Sequence, residues 1–180
     1  MNSLSKTLAH FPTKKIVLPA GKLVLREAEK KDLKVLNAIV QEPGVNEFLL
    51  LPLPVSMKST LDHWKEIRQL GKWVVAELDG EIVGSMELRP KFGRESHVAG
   101  FGISFSKRGR GTGATQAIMR EVFAFGKRHG VKIIFASCIE DNSRARKFYW
   151  KNGFREIALM KGHFRRGRKF VGTVLIEKLL

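Results

Sequence analysis

Between Val98 and Ala114 the chain reads VAGFGISFSKRGRGTGA, an apolar run that breaks into a basic, glycine-rich turn and then opens into a helical pattern. Arg108, Gly111 and Gly113 are spaced R-x-x-G-x-G, with Gly109 between the first two and Arg110, Thr112 and Ala114 completing the turn. Glycines carry no Cβ, so main-chain N–H groups can close on a ligand there. The N-terminus of the following helix adds a partial positive charge of about half a unit, and Lys107, Arg108 and Arg110 add full charges beside it. The chemistry that fits is phosphate binding. No G-K-S/T ends the turn, as a nucleoside-triphosphate loop requires, and the G-x-G-x-x-G dinucleotide fingerprint is absent.

A second cluster is NSRARKFYWKNGF, Asn142 to Phe154. At helical spacing Asn142, Ala145, Arg146 and Tyr149 stand at i, i+3, i+4 and i+7 and share a face, so an amide, a small gap and a phenol line one groove. Taken singly, Asn142 is equally a helix cap and Tyr149 equally a core aromatic. In combination the two stretches resemble the GNAT family of N-acetyltransferases, whose loop reads Q/R-x-x-G-x-G/A and whose later helix and turn read N-x-x-A-x-x-x-Y-x-x-x-G-F. The resemblance spans about residues 22 to 180.

The resemblance implies that acetyl-CoA is the co-substrate, with its pyrophosphate on Arg108 to Ala114, that is, on Arg108, Gly109, Arg110, Gly111, Thr112, Gly113 and Ala114. It implies that Ile103, Ser104 and Phe105 offer free main-chain groups to pantetheine and to the thioester carbonyl, and that Asn142, with Ala145 and Arg146 beside it, contacts the pantetheine arm. Tyr149 would protonate the leaving thiolate. A phenol of ordinary pKa ~10 can do so, because a negative sulfur in a desolvated cleft is a strong proton acceptor. The acceptor amine must lose a proton before it attacks directly in a ternary complex. Three candidates stand for that base: His97, eleven residues before Arg108 where histone-type members carry a glutamate; Glu87 on the preceding strand; and a bound water. Gly172 stands where many relatives carry an aspartate.

These groups have to be positioned by a single domain. At 180 residues, 43% hydrophobic and 28% charged, the chain has the size and balance of one globular unit. Residues 1–20 lack periodicity and are expected to be an arm with an extended piece around Lys15 to Leu18; residues 21–180 form the domain. Strands are expected over Lys22 to Ala28, Lys72 to Leu78, Glu81 to Arg89, His97 to Phe105, Val131 to Ile139, Phe154 to Lys161 and Lys169 to Leu179. Apolar residues at helical spacing place helices over Asp32 to Val40, Ser56 to Leu70, Gly111 to His129 and Asn142 to Lys151. Ser56 suits a helix cap, a loop with Pro52 and Pro54 precedes it, and Asp79-Gly80 suits a type I′ hairpin turn. The fold class is therefore α/β (α+β), and by resemblance a mixed, splayed sheet of about seven strands flanked by about four helices.

A formal charge of +16 attracts polyanions: acetyl-CoA, an acidic protein, or a nucleic acid or ribosome. Five Lys or Arg lie among residues 161–169, in a basic turn expected at the acceptor end, which points to a protein N-terminus or lysine in an acidic setting. The alternatives are a small amine (polyamine, antibiotic or amino acid) and a non-catalytic acetyl-CoA-binding or nucleic-acid-associated module. No metal is implied. No apolar stretch reaches the ~20 residues of a membrane span, no signal-peptide core is legible, and the lone Cys138 lies in an apolar run; the expectation is a cytoplasmic monomer or homodimer.

Overall fold

Asp79 and Gly80 both take positive φ, 49° and 85°, as the type I′ turn requires, and the strands they join lie inside one sheet. The computed structural model describes residues 8–50 and 53–180; the first seven residues of the expected arm, and Pro52, lie outside the described residues. The elements are β1 (Lys14–Leu18), β2 (Gly21–Glu27), α1 (Leu33–Val40), α2 (Met57–Leu70), β3 (Lys72–Leu78), β4 (Glu81–Pro90), β5 (Val98–Phe105), α3 (Ala114–Arg128), β6 (Ile133–Ile139), α4 (Ser143–Lys151), β7 (Arg155–Arg166) and β8 (Lys169–Leu179). The eight strands form one sheet in the order β1-β2-β3-β4-β5-β6-β8-β7.

The seven expected strands and four expected helices are present. The eighth strand is β1, which pairs antiparallel with β2. It ties the expected arm to the domain, and Phe11 explains why: it is buried with its ring edge-on to Phe125 of α3 at 5.3 Å. A single aromatic anchor leaves no periodic trace in a sequence. At the other end, most of the expected basic loop is strand, since β7 and β8 continue to a tight turn at Gly167 and Arg168.

Alternation across the strands gives the sheet two dissimilar faces. On one, Leu23, Leu25, Val74, Ala76, Met86, Leu88, Ala99 and Phe101 pack with Ala117, Ile118 and Val122 of α3. Toward α1 and α2 the opposite face carries Trp73 and Val75, packed with Leu33, Leu36 and Ile67. On that second face the antiparallel register sets Trp73 opposite Glu87, Glu87 opposite Gly102, Ser85 opposite Ser104, and Arg89 opposite Gly100. A polar stripe on β4 thus runs beside a glycine track on β5. Ser56 caps α2 by accepting from the Ser59 N–H at 3.0 Å, which starts the helix that covers this stripe.

Candidate active site

β5 and β6 are the parallel neighbours, and they pair only over Val98–Gly100 with Ile133–Phe135. Beyond Gly100 the strands part, because β5 stays in register with β4 through Phe105 while β6 stays in register with β8 through Ile139. The main-chain groups of β5 that face the gap are left without a strand partner. A cleft of about 840 Å³ opens there, lined by Ile103, Ser104 and Phe105 on one side and Ala136, Ser137 and Cys138 on the other.

The glycine-rich turn closes one end of the cleft. Ser106 donates to the Val83 carbonyl at 3.1 Å and accepts from the Gly109 N–H at 3.3 Å. A Cβ on Gly109 would stand 2.8 Å from the Phe105 ring and from the Val83 carbonyl, so the close approach admits only glycine. Thr112 donates to the Gly109 carbonyl at 2.9 Å and accepts from the Ala114 N–H at 3.2 Å. Gly111 and Gly113 take φ of 76° and 86°, a region costly for other residues. With the turn pinned this way, the N–H groups of Gly111, Thr112, Gly113, Thr115 and Gln116 have no acceptor among the described residues. A row of unpaired donors at a helix N-terminus fits a pyrophosphate.

The basic residues of the turn separate in space. Arg110 lines the cleft and donates to the Gly44 carbonyl at 3.2 Å, where Arg144 also donates, at 2.9 Å. Burial, and secondarily the like charge of Arg144, lower the Arg110 pKa from its ordinary value. Arg108 turns away from the cleft to pair with Glu81 at the surface, and Ala114 is fully buried under the helix start.

The expected face of α4 divides as well. Asn142, Ala145 and Tyr149 line the cleft. Asn142 caps α4, its Oδ1 accepting from the Ala145 N–H at 3.1 Å, which leaves its amide NH₂ free of that bond. Arg146 is on the other side, bonded to Glu156 of β7 at 2.7 and 2.8 Å and to the Glu140 carbonyl at 3.1 Å. Residues i and i+4 diverge here because β7 runs past one flank of the helix and offers a carboxylate to a long cation. Tyr149 is 9% exposed, packed among Phe101, Phe148 and Phe154 at ring separations of 5.5 to 5.7 Å. Burial pushes its phenol well above the ordinary value, so it stays protonated. The nearby Cys138 thiol is pushed up to about 11, again mainly by burial, which keeps it a thiol at neutral pH.

The two side-chain candidates for the base have different surroundings. His97 does not reach the cleft: it is exposed just before β5, at the end remote from the turn, and its carbonyl accepts from the Lys132 and Ile133 N–H groups. Glu87 lines the cleft, 14% exposed, with His63 Nε2 2.8 Å from its Oε1. The Glu87 hydrogen bond raises the His63 pKa, against a smaller opposing effect of burial. Trp73, opposite Glu87 in register, stacks edge-on against the His63 ring at 5.3 Å. Its indole N–H is the buried side-chain polar group without a partner among the described residues.

Sequence reading missed His63, Arg89 and Trp73. His63 stands four residues after Ser59 and three after Thr60, and all three line the cleft, so a polar stripe beside the apolar stripe of α2 was the available signal. Missed too was the segment between α1 and α2, whose Gly44, Val45, Phe48 and Leu49 line the cleft. Arg166 of β7 pins that segment, donating to the Glu47 carbonyl at 3.3 Å, lying 5.5 Å from the Phe48 ring, and pairing with Asp141. At Gly172 the N–H donates to Glu140 Oε2 at 3.1 Å, so the end of the neighbouring strand brings a carboxylate to this position. Among the described residues no three His, Cys, Asp or Glu side chains converge as a metal site would need, and no helix is long and apolar enough to cross a membrane.

Comparison with known proteins agrees with this geometry. The acetyltransferase (GNAT) family matches residues 36–154. An L-amino acid N-acetyltransferase of Escherichia coli is 32% identical over 169 residues, covering 88% of this chain and 99% of its own length. Among solved structures, an N-acetyltransferase of this family from Kribbella flavida superposes with a TM-score of 0.77 at 23% identity, over 88% of this chain and 98% of its own. A phosphinothricin acetyltransferase from Sinorhizobium meliloti, solved in complex with acetyl-CoA, gives 0.78 at 20% identity over 88% of each chain. The parted strands, the pinned glycine turn and the family match lead to one statement: the chain belongs to the acetyltransferase (GNAT) family and is an acetyl-CoA-dependent N-acetyltransferase.

Proposed function

We propose that the chain transfers the acetyl group of acetyl-CoA to the α-amino group of a free amino acid. The observation that carries the reading is the placement of Tyr149 and the His63–Glu87 pair along one cleft, whose β5 wall has unpaired main-chain groups. The Gly111 to Gln116 amides and Arg110 would hold the pyrophosphate, and the free edge of β5 with Asn142 would hold the pantetheine arm. Bound acetyl-CoA supplies the activated acetyl thioester.

The chain's own residues supply the proton handling. Glu87, held by His63 at 2.8 Å, takes the proton of the acceptor ammonium as general base. Tyr149 holds a proton at its hydroxyl far above neutral pH, available to a leaving thiolate. Free N–H groups along β5 would stabilise negative charge developing on oxygen.

The acceptor end supports a small molecule over a protein amine. Val45, Phe48 and Leu49 wall it, and the basic residue best placed to attract an acidic polypeptide, Arg166, is occupied by Asp141 and the Glu47 carbonyl. The Escherichia coli relative, named for L-amino acids, supports the same class. Release of free thiol from acetyl-CoA, followed against each of the twenty L-amino acids, polyamines and peptides, tests the proposal. Turnover confined to peptides or polyamines would overturn it.

A further inference from the structure

Glu87 and Arg89 are two residues apart on β4, so both project from the same sheet face, about 7 Å apart along the strand. Their ion pair is long, 3.8 Å from Arg89 Nη1 to Glu87 Oε2, with Arg89 47% exposed. The guanidinium donates no hydrogen bond among the described residues, although it carries five N–H donors. Opposite them on β5 stand Gly102 and Gly100, which leave a furrow where side chains would otherwise lie. A carbon placed where a Gly102 Cβ would be stands 3.6 Å from Glu87 Oε2 and 3.8 Å from Arg89 Nη2. The Glu87 carboxylate and the Arg89 guanidinium therefore both flank the surface over Gly102, and a side chain at that position would stand against both.

We infer that Arg89 reads the carboxylate of the acceptor, and that Glu87 and Arg89 together receive the zwitterionic head of an α-amino acid, with its α-carbon over Gly102. This rests on the amino-acid reading above and adds a residue and a selection rule to it. In an α-amino acid the ammonium and the carboxylate branch from a single carbon. The surface over Gly102 has opposite charges on its two sides, a match that a polyamine or an internal lysine cannot make. The other cations near the cleft are committed elsewhere. Lys91 pairs with Glu95 at 2.6 Å and lies 4.9 Å from the Phe135 ring, while Arg110 and Arg144 converge on the Gly44 carbonyl. Charge-assisted, bidentate recognition of a carboxylate is the contact for which arginine is best suited.

The experiment compares the best acceptor among the twenty L-amino acids with its own carboxamide, which keeps the amine and side chain and removes the charge. Wild-type enzyme is expected to favour the acid. Arg89→Gln should lower kcat/KM for the acid by at least about tenfold, mostly through KM, and leave the amide nearly unchanged, so that the acid-to-amide ratio collapses; Arg89→Lys should restore part of it. Gly102→Ala, which sets a methyl against Glu87 and Arg89, should raise KM for the acid while acetyl-CoA affinity measured by calorimetry stays at the wild-type value. Equal losses for acid and amide in Arg89→Gln, or a Gly102→Ala enzyme with wild-type KM, would overturn the role of Arg89 while the amino-acid reading stood. Failure of every amino acid as an acceptor would instead overturn the amino-acid reading and the inference with it.

Discussion

His63 Nε2 lies 2.8 Å from Glu87 Oε1, joining α2 to the strand β4 across the cleft that both line. Because Glu87 favours the charged imidazole, the His63 pKa is above its ordinary ~6.5. Below that raised value the pair is imidazolium and carboxylate, and Glu87 is a poor base; above it the carboxylate is free to take a proton. At saturating substrates kcat should rise with pH through the raised His63 value and then level off. In His63→Gln that limb should move to lower pH, and a pH–rate profile unchanged by the substitution would remove His63 from the proton path. The stabilising contribution of the pair runs the opposite way: it is full below about pH 6.5 and is lost as pH rises through the folded value. The difference in melting temperature between wild type and His63→Gln should therefore shrink on going alkaline.

Glu87→Gln should fold and bind acetyl-CoA normally but lose kcat by a factor on the order of 10² to 10⁴, the usual contribution of a general base. His97→Ala should turn over at the wild-type rate, since His97 is exposed and outside the cleft. Steady-state kinetics on the two variants side by side checks both, and the reverse pattern would exchange their roles.

Tyr149→Phe keeps the ring that packs against Phe101 and Phe154 and removes the proton. Turnover should fall while acetyl-CoA affinity is kept. Calorimetry and single-turnover kinetics separate these two quantities, and wild-type rates with chemistry limiting would assign the acid elsewhere.

Gly111→Val should weaken acetyl-CoA binding at least tenfold, about 1.4 kcal/mol. The residue has φ of 76° with open space around its Cβ position, so the fold can tolerate the bulk. What valine disturbs is the positive φ that aims the neighbouring N–H groups, and the space above them. Circular dichroism would verify folding, and an unchanged dissociation constant would move the pyrophosphate site. Arg146→Ala is the control from the same motif set. Its guanidinium is engaged by Glu156 outside the cleft, so affinity should be unchanged.

Gly172→Asp, which would supply the aspartate that the family resemblance leads one to expect there, should destabilise this chain by about 1 to 3 kcal/mol, the usual cost of overpacking. A Cβ there would lie 2.8 Å from Leu159 Cδ1 and against the Glu140 carboxylate, and a second carboxylate would add like-charge repulsion. Denaturant unfolding of the two proteins measures the difference. A shortened side chain at Glu140 in the same background should recover much of it.

What the sequence by itself determined was local. Apolar periodicity placed the four helices and seven of the strands, Asp79-Gly80 placed a hairpin, and R-x-x-G-x-G with N-x-x-A-x-x-x-Y located a glycine-rich turn and a phenol that border one cleft, because capping, turn geometry and glycine requirements act within a few residues. Tertiary structure decided which of the motif residues line the cleft. Arg108 and Arg146 sit in the right motifs yet are drawn to Glu81 and Glu156, carboxylates brought beside them by other strands. By residue type His97 stands ahead of Glu87 as the base, with a bound water beside them, and sheet register separates the two side chains: Glu87 falls on the face beneath α2, where His63 meets it, and His97 falls outside the strand. The pairing of Glu87 with His63, the furrow formed by Gly100 and Gly102 beside Arg89, and the anchoring of the amino-terminal segment by Phe11 all join residues far apart in the chain. Pairwise contacts of that kind leave no spacing to read, since they exist only once strand pairing has set which residues are opposite each other.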